Sequence, residues 1–220
     1  MKEHYRAYPE YAACGLNCGL CPRYHTQGIS RCPGCGGPGF YHKHPSCAII
    51  NCGQRHGGVE YCVLCGEFPC RRYMDEHPED SFITYRNVTR DFETVKTGGI
   101  KAYQAELDEK IGLLQWLLEY CNDGRRKNFY CLAVNLLELE DVKATVARIR
   151  EQTVVEEGNV KERAARAVRM FEEMAGERGI ELRLKNKNRR NDFQDSALKF
   201  RYMESNTPCS VKAKIEKSGD

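Results

Sequence analysis

The sequence of 220 residues lacks long apolar runs, and no stretch approaches the roughly 18 consecutive apolar residues of a membrane-spanning helix. Its start, residues 1–6, has no apolar segment behind its positive charges, so it does not look like a secretory signal. Charge of one sign is also scarce: 34 Lys+Arg against 31 Asp+Glu leave a net charge of +3, too small by itself to indicate a polyanionic partner. We therefore expect a cytoplasmic protein with no membrane association.

The sequence also lacks the common catalytic motifs. It contains no glycine-rich phosphate loop, no serine nucleophile elbow and no His-Glu-x-x-His helix. Without a catalytic constellation, a binding role is favoured over an enzymatic one.

Cysteine, by contrast, is abundant and concentrated at one end. Ten of the thirteen cysteines lie between Cys14 and Cys70, and only Cys121, Cys131 and Cys209 follow. Disulfides rarely persist in a reducing compartment, and a Cys-x-x-Cys pair closes too small a loop for a cross-link to stabilise much. The pattern therefore favours metal binding in the first part of the chain. The three later cysteines are better explained as two small buried hydrophobes and one tail residue.

Two segments have the form Cys-x-x-Cys-Gly, namely residues 32–36 and 62–66. Such a tight turn brings two thiolates onto one ion, and two of these turns could close a four-cysteine zinc site. The remaining cysteines allow a second site. The predicted metal ligands are Cys14, Cys18, Cys21, Cys32, Cys35, Cys47, Cys52, Cys62, Cys65 and Cys70.

Zinc is the first interpretation, and a 4Fe–4S cluster is the alternative. Cys14, Cys18 and Cys21 have the spacing by which radical S-adenosylmethionine enzymes hold a four-iron cluster, and Cys47, Cys52 or Cys70 could supply the fourth thiolate. The strand–helix repeats of those enzymes are missing, so the alternative is a cluster for electron transfer or other redox chemistry. Ten cysteines exceed the eight that two sites need, so a shared cluster, or a third site that uses one of three histidines, remains open. Those histidines are His42, His44 and His56.

From Tyr85 onward the apolar residues recur at helical spacing, and Gly98-Gly99 ends the first of these segments. Asn159-x-x-Glu162 resembles a capping box at the start of a later helix. One predicted stripe consists of Tyr103, Leu107, Ile111, Leu114, Leu118 and Cys121, widened by Trp116 and Leu117.

Alternating apolar residues at 180–184 then predict one short strand. The predicted fold class is a small metal-stabilised cysteine-rich module, zinc-ribbon- or knuckle-like, followed by a mainly α-helical C-terminal domain. Its divisions are a module at 10–75, a helical domain with the terminal strand at 82–190, and a polar, disordered tail at 191–220.

Partners are less well indicated. The module contains few large apolar residues, so metal coordination is expected to supply much of its folding free energy, and its role would be to bind a partner protein. A basic run gives weak support for binding nucleic acid. It consists of Arg183, Lys185, Lys187, Arg189 and Arg190.

One segment carries a family resemblance. Cys14-Gly15-Leu16-Asn17-Cys18-Gly19-Leu20-Cys21-Pro22 resembles the opening of an uncharacterised cysteine-rich family, domain of unknown function 3795. Residues 58–62 and 67–70 are similar to the second block of that family, and residues 122–125 and 129–134 to segments of its longer members, so the resemblance covers roughly residues 10–150. It implies a metal-binding module, usually taken to bind zinc, and no particular reaction.

Overall fold

A computed structural model describes residues 5–44, 46–73, 79–155 and 159–185. Within these residues the chain forms α-helices and short 3-10 helices. The α-helices are α1 (Phe40–Lys43), α2 (Ala48–Arg55), α3 (Val88–Gly98), α4 (Ile100–Tyr120), α5 (Lys127–Leu136), α6 (Leu139–Val155) and α7 (Val160–Glu177). The 3-10 helices span Cys18–Leu20, Gly28–Ser30, Cys62–Leu64 and Arg71–Tyr73.

The long helix α4 is the centre of the helical domain, where it packs against α3, α5 and α6. Its buried residues recur every three or four positions, which places them on one face. The predicted stripe is confirmed at Tyr103, Leu107, Ile111 and Leu114, and Leu117 is more deeply buried than Leu118. Helix α7 completes the domain by packing against α5 and α6.

The boundaries of the helices follow local signals in the sequence. Gly99 has a φ of +84°, a conformation that glycine adopts without strain, and it separates α3 from α4. The predicted capping box at the start of α7 is confirmed: the Asn159 side chain accepts hydrogen bonds from the backbone N–H groups of Lys161 and Glu162, and Glu162 Oε2 accepts from Asn159 N.

We expect Asn159→Ala to lower the free energy of unfolding by about 1 kcal/mol, because the first turn of α7 loses a side-chain acceptor. Chemical denaturation of the two proteins measures this difference. Asn128→Ala, at an exposed position in the first turn of α5, is the control and should change stability less.

The predicted strand at 180–184 is wrong: no strand is present among the described residues, and this segment is irregular. Its backbone is bonded by side chains instead of by a neighbouring strand. The Arg86 guanidinium donates to the carbonyl oxygens of Glu181 and Arg183, and Asp80 Oδ2 accepts from Lys185 N. Alternation alone therefore misled the prediction, since a strand also needs a partner edge.

The cysteine-rich module also lacks strands within its described residues, so the ribbon-like part of the predicted fold class is not seen. Tyr11, Leu20, Tyr61 and Val63 are buried in the same apolar core as the helical domain. Burial against the helices therefore stabilises the module in addition to any metal.

Some predictions fall on residues that are not described. The predicted tail at 191–220, Cys209 and most of the basic run, from Lys187 onward, lie outside the described residues. In the part of the chain that the structure covers, no helix combines the length and hydrophobicity that crossing a bilayer requires.

Candidate metal centre

Two Cys-x-x-Cys segments form the same local turn. Cys18–Leu20 and Cys62–Leu64 are 3-10 helices, and in each the next cysteine donates its backbone N–H to the carbonyl oxygen of the first. Those next cysteines, Cys21 and Cys65, have nearly identical backbone angles, with φ of −80° and −75° and ψ of 135° in both. The shared Cys-x-x-Cys-Gly form predicts that 32–36 matches 62–66, whereas the turns that match in the structure are 18–21 and 62–65.

One set of cysteines, the first cysteine group, consists of Cys14, Cys18, Cys35 and Cys47. All four belong to or pack against a small apolar cluster that includes Phe40. Burial raises the pKa of the Cys14 thiol, and the neighbouring thiols of Cys35 and Cys47 raise it further. Burial and the thiols of Cys35, Cys14, Cys21 and Cys32 likewise raise the pKa of Cys18. These effects, together with the contacts of the four cysteines with one apolar cluster, indicate that the four lie near one another.

A second cysteine group lies beside the first and consists of Cys52, Cys62, Cys65 and Cys70. Burial raises the pKa of Cys62 to about 12, and Cys70, Cys52 and Cys65 contribute to the shift. His56 borders this group, with its Nδ1 atom 3.7 Å from Cys65 Sγ. The groups are adjacent, because Cys62 is also among the thiols that raise the pKa of Cys14.

The last two predicted ligands, Cys21 and Cys32, form a pair. Burial raises the pKa of Cys21, and Cys32 adds to the rise. Cys131 of α5 lies on the other side of Cys21, which contributes to raising the Cys131 pKa to about 12. Cys21 and Cys32 also contribute to raising the pKa of Cys18, so this pair borders the first cysteine group.

The loops also direct backbone N–H groups at the sulfur atoms. Cys14 accepts a hydrogen bond from the backbone of Leu16, and Cys35 accepts one from Ala13; both bonds lower the thiol pKa against the effect of burial. Backbone bonds from the two residues that follow Pro22 do the same for Cys21. Such bonds favour thiolate, which is the form that binds metal.

A buried cation lies beside the first cysteine group. The Arg6 side chain is 1% exposed, and its Nη1 donates to the carbonyl oxygens of Tyr11 (2.7 Å) and Cys35 (3.3 Å). Its charge lowers the pKa of Cys35 against the opposing effect of burial. The carboxylate of Glu60 is 3.7 Å away, and Arg6 Nε and Nη2 lack a well-formed hydrogen bond to any described residue. The guanidinium carbon of Arg6 also lies 4.7 Å from the centre of the Tyr61 ring. A buried guanidinium favours negative charge nearby.

Comparison with known proteins gives one match. The family model "Protein of unknown function (DUF3795)" matches residues 10–75. Residues 10–75, the part of the chain that this model matches, are named the DUF3795 domain. The match confirms the resemblance for the cysteine-rich module, and the similar segments beyond residue 75 lie outside it. No curated protein and no solved structure matches the chain.

The DUF3795 domain holds all ten predicted ligands, but its cysteines are not arranged as a finished metal site. Among the described residues, no group of three or more His, Cys, Asp or Glu side chains is positioned to hold an ion. The cysteines of this part of the chain, together with Cys121 and Cys131, are free thiols. The chemistry of the residues nevertheless suits a metal. The thiols lie in groups, several accept hydrogen bonds from backbone N–H groups, and the buried Arg6 guanidinium lies beside one group.

The other histidines of the DUF3795 domain are further from this chemistry. His42 and His44 are exposed, as the sequence suggested, and His44 stacks on Phe40 with ring centroids 4.8 Å apart. His25 Nε2 lies 2.7 Å from the Gly19 carbonyl oxygen. Of the three candidate histidines, His56 is the one that the structure brings to a cysteine group.

The Cys32–Gly37 loop of the DUF3795 domain fits closely against residues 6–9. Gly34 has a φ of +82°, and a Cβ atom there would lie 2.5 Å from the Pro9 carbonyl oxygen. Gly58 provides a matched comparison, because its φ is +76° and a Cβ would meet nothing within 4 Å.

We expect Gly58→Ala to cost about 1 kcal/mol for the left-handed backbone and Gly34→Ala at least about 2 kcal/mol more. Denaturant titration of both variants measures the difference. Equal destabilisation would mean that the close approach of this loop to Pro9 does not hold Cys35 in place.

Sequence reasoning missed a buried polar network that joins the module to the helices. Asn17, between Cys14 and Cys18, donates through Nδ2 to Asp91 Oδ2 (2.9 Å) and Asn135 Oδ1 (3.0 Å), and its Oδ1 accepts from the Tyr103 hydroxyl (2.8 Å). Burial raises the pKa of Asp91. The available signal was the single amide side chain within the cysteine motif. Its partners, however, lie on α3, α4 and α5, which the sequence could not bring together.

Proposed function

We propose that this protein is a metal-binding protein in which the two four-cysteine groups of the DUF3795 domain each hold one structural zinc ion. Each group offers four thiols, the usual number for a structural zinc site. Zinc would act as a fixed crosslink between loops and would supply no reaction. The role that this leaves for the protein is to bind a partner, in a reducing compartment such as the cytoplasm, where free thiols persist.

The observation that carries the proposal is the placement of Arg6 beside the first cysteine group. Among the described residues, Glu60 at 3.7 Å is the carboxylate paired with the buried guanidinium, which also contacts two carbonyl oxygens and the Tyr61 ring. Four neutral thiols would add no further negative charge. Four thiolates around Zn²⁺ carry a net charge of −2, which would compensate the cation in a region of low dielectric. A charged thiolate centre therefore explains why an arginine is tolerated there.

Burial raises the pKa of four of these thiols, so in the absence of metal they are protonated near neutral pH; the four are Cys14, Cys18, Cys35 and Cys62. Binding of a divalent cation would then release protons, and apparent affinity would fall as the pH falls. The four sulfur atoms of each group would move closer together to coordinate the ion, because the described side chains are not positioned to hold one.

A 4Fe–4S cluster is the competing occupant, because four thiolates also bind iron–sulfur clusters. The cluster was expected at Cys14, Cys18 and Cys21; Cys21 contributes to raising the pKa of Cys18 but is not part of the first cysteine group, whose four members we assign to zinc. Nucleic-acid binding gains no support from the described part of the basic run, where the Arg183 carbonyl accepts from Arg86.

The test is elemental analysis of protein purified without oxygen, together with its absorption spectrum and X-ray absorption at the zinc edge. We expect two zinc ions per chain, a colourless solution and a shell of sulfur atoms at about 2.3 Å from zinc. Detection of iron and sulfide with an absorption band near ~400 nm would contradict the zinc proposal and support the 4Fe–4S cluster. Folded protein that carries neither metal would contradict both.

A further inference from the structure

A cavity of about 390 Å³ lies between the Cys18–Leu20 turn, the segment 81–84 and helix α5. It is separate from the two cysteine groups, although Leu20 and Pro22, which flank Cys21, form part of its wall. Its volume is within the range of small-molecule sites in proteins. Nothing in the proposed structural role of zinc requires such a cavity.

The charge of the lining has one sign. Arg23 and Lys127 both line the cavity, and none of the described lining residues is Asp or Glu. The two cations are held in place by neighbouring side chains: the Arg23 guanidinium lies 4.3 Å from the centre of the Phe82 ring, and Lys127 Nζ donates to Thr26 Oγ1 at 3.2 Å. The positive potential extends to His25, whose pKa is lowered by burial and also by Arg31 and Lys127.

Neutral polar groups add to this preference. Lys127 and Asn128 begin helix α5, and the free backbone N–H groups of a first helical turn favour an anion. The Thr84 hydroxyl, whose oxygen accepts from Arg86, is a further hydrogen-bond donor in the wall. The site therefore has donors and cations without a competing carboxylate.

The rest of the wall is apolar. Leu20 is buried, Leu132 is partly buried, and Phe82 is 58% exposed, which is unusual for a large aromatic side chain. Ile83 and Leu184 continue the apolar surface. A ligand that fits both halves needs an anionic head and a flat or branched apolar body.

We propose that this cavity binds a small amphipathic organic anion, with its carboxylate between Arg23 and Lys127 and its apolar body against Leu20, Phe82 and Leu132. The full chain, with its metal content verified, is the protein to test. The probe is 2-naphthoate, and the matched neutral compound is 2-naphthamide, which has the same ring and nearly the same shape. Binding is measured by isothermal titration calorimetry and located by amide chemical-shift changes.

We expect 2-naphthoate to bind at least about tenfold more tightly than 2-naphthamide, because charge-assisted hydrogen bonds are lost in the amide. The shift changes should concentrate at Thr26 and along residues 127–135. The double variant Arg23→Gln/Lys127→Gln should lose at least about tenfold in affinity for 2-naphthoate. Its control, Arg125→Gln/Lys101→Gln, removes the same charge from two exposed positions outside the cavity and should bind as the original protein does.

Three results would overturn the proposal: no binding of 2-naphthoate at millimolar concentration, equal affinity for the two compounds, or equal loss in the two double variants. Circular dichroism and zinc content of each variant show whether folding is retained. If the Arg23→Gln/Lys127→Gln protein is misfolded, the comparison of the two compounds on the unmodified protein still decides.

Discussion

Cys35→Ser is expected to remove one of two zinc ions per chain and to lower the free energy of unfolding by at least about 3 kcal/mol. Cys35 is the buried member of the first cysteine group, 8% exposed, and its thiol lies beside Arg6. A serine hydroxyl remains protonated near neutral pH and is a poor zinc ligand. The variant therefore loses both the ion and the negative charge that would face the guanidinium.

The zinc content and the denaturant titration of Cys35→Ser are compared with those of a control variant, Cys121→Ser. Cys121 is fully buried in the helical domain and is not a predicted ligand, so the same atom change at an equally buried site should cost stability while both zinc ions remain. Cys65→Ser, in the second cysteine group, should also remove one ion. Two zinc ions retained in Cys35→Ser would show that the first cysteine group is not a metal site.

The apolar core that the module shares with the helices determines how much of the structure Cys35→Ser destabilises. Tyr11 and Leu20 of the module are buried against the helical core, so loosening the module uncovers part of α3 and α4. The contacts of α4 with α5 and α6, and of α6 with α7, do not involve the module. We therefore expect most of the helical circular dichroism to survive, while the module becomes sensitive to protease.

The helices could be predicted because their signals are local. The capping box at Asn159, the glycines at the end of α3 and the stripe from Tyr103 to Leu114 are all read within a few turns of chain. The error at 180–184 has the same origin, because alternation is local and a strand partner is not. The sequence of one segment does not reveal that the side chains of Arg86 and Asp80 will form hydrogen bonds with its backbone.

The candidate site could be predicted only as a list of ligands. Spacing identifies cysteines that are close in sequence, but grouping depends on how loops fold over one another. Cys47 joins Cys14 and Cys35 because α2 and the loop before it pack on the same small apolar cluster. Arg6 escaped notice for a similar reason, since nothing in its neighbourhood in the sequence indicates that it becomes buried beside Cys35.

Asn17→Asp is the second change with a large expected effect. It replaces a hydrogen-bond donor by an acceptor in the network that joins the module to the helices. In the original protein Asn17 Nδ2 donates to two acceptors, Asp91 Oδ2 and Asn135 Oδ1. An aspartate offers only acceptors when ionised, so two hydrogen bonds are lost and two carboxylates face each other away from water. We expect the free energy of unfolding to fall by about 3–5 kcal/mol near neutral pH.

The sign of the pH dependence separates this cause from a loss of packing. Burial already raises the pKa of Asp91, and a second carboxylate at position 17 would raise it further. The folded variant then holds a proton that the unfolded chain, with ordinary carboxyl pKa values near about 4, has released. Stability of the variant must therefore fall as pH rises through this window and recover as pH is lowered.

The measurement is denaturant unfolding of Asn17→Asp, the original protein and Asn128→Asp at about pH 6 and about pH 8. Asn128 is exposed on α5, so its substitution should change stability by no more than about 0.5 kcal/mol at either pH. The deficit of Asn17→Asp relative to both should be smaller at the lower pH, when one shared proton restores a hydrogen bond to Asp91. A deficit that stays constant or grows on acidification would mean that loss of packing, and not the pair of buried carboxylates, destabilises the junction between module and helices.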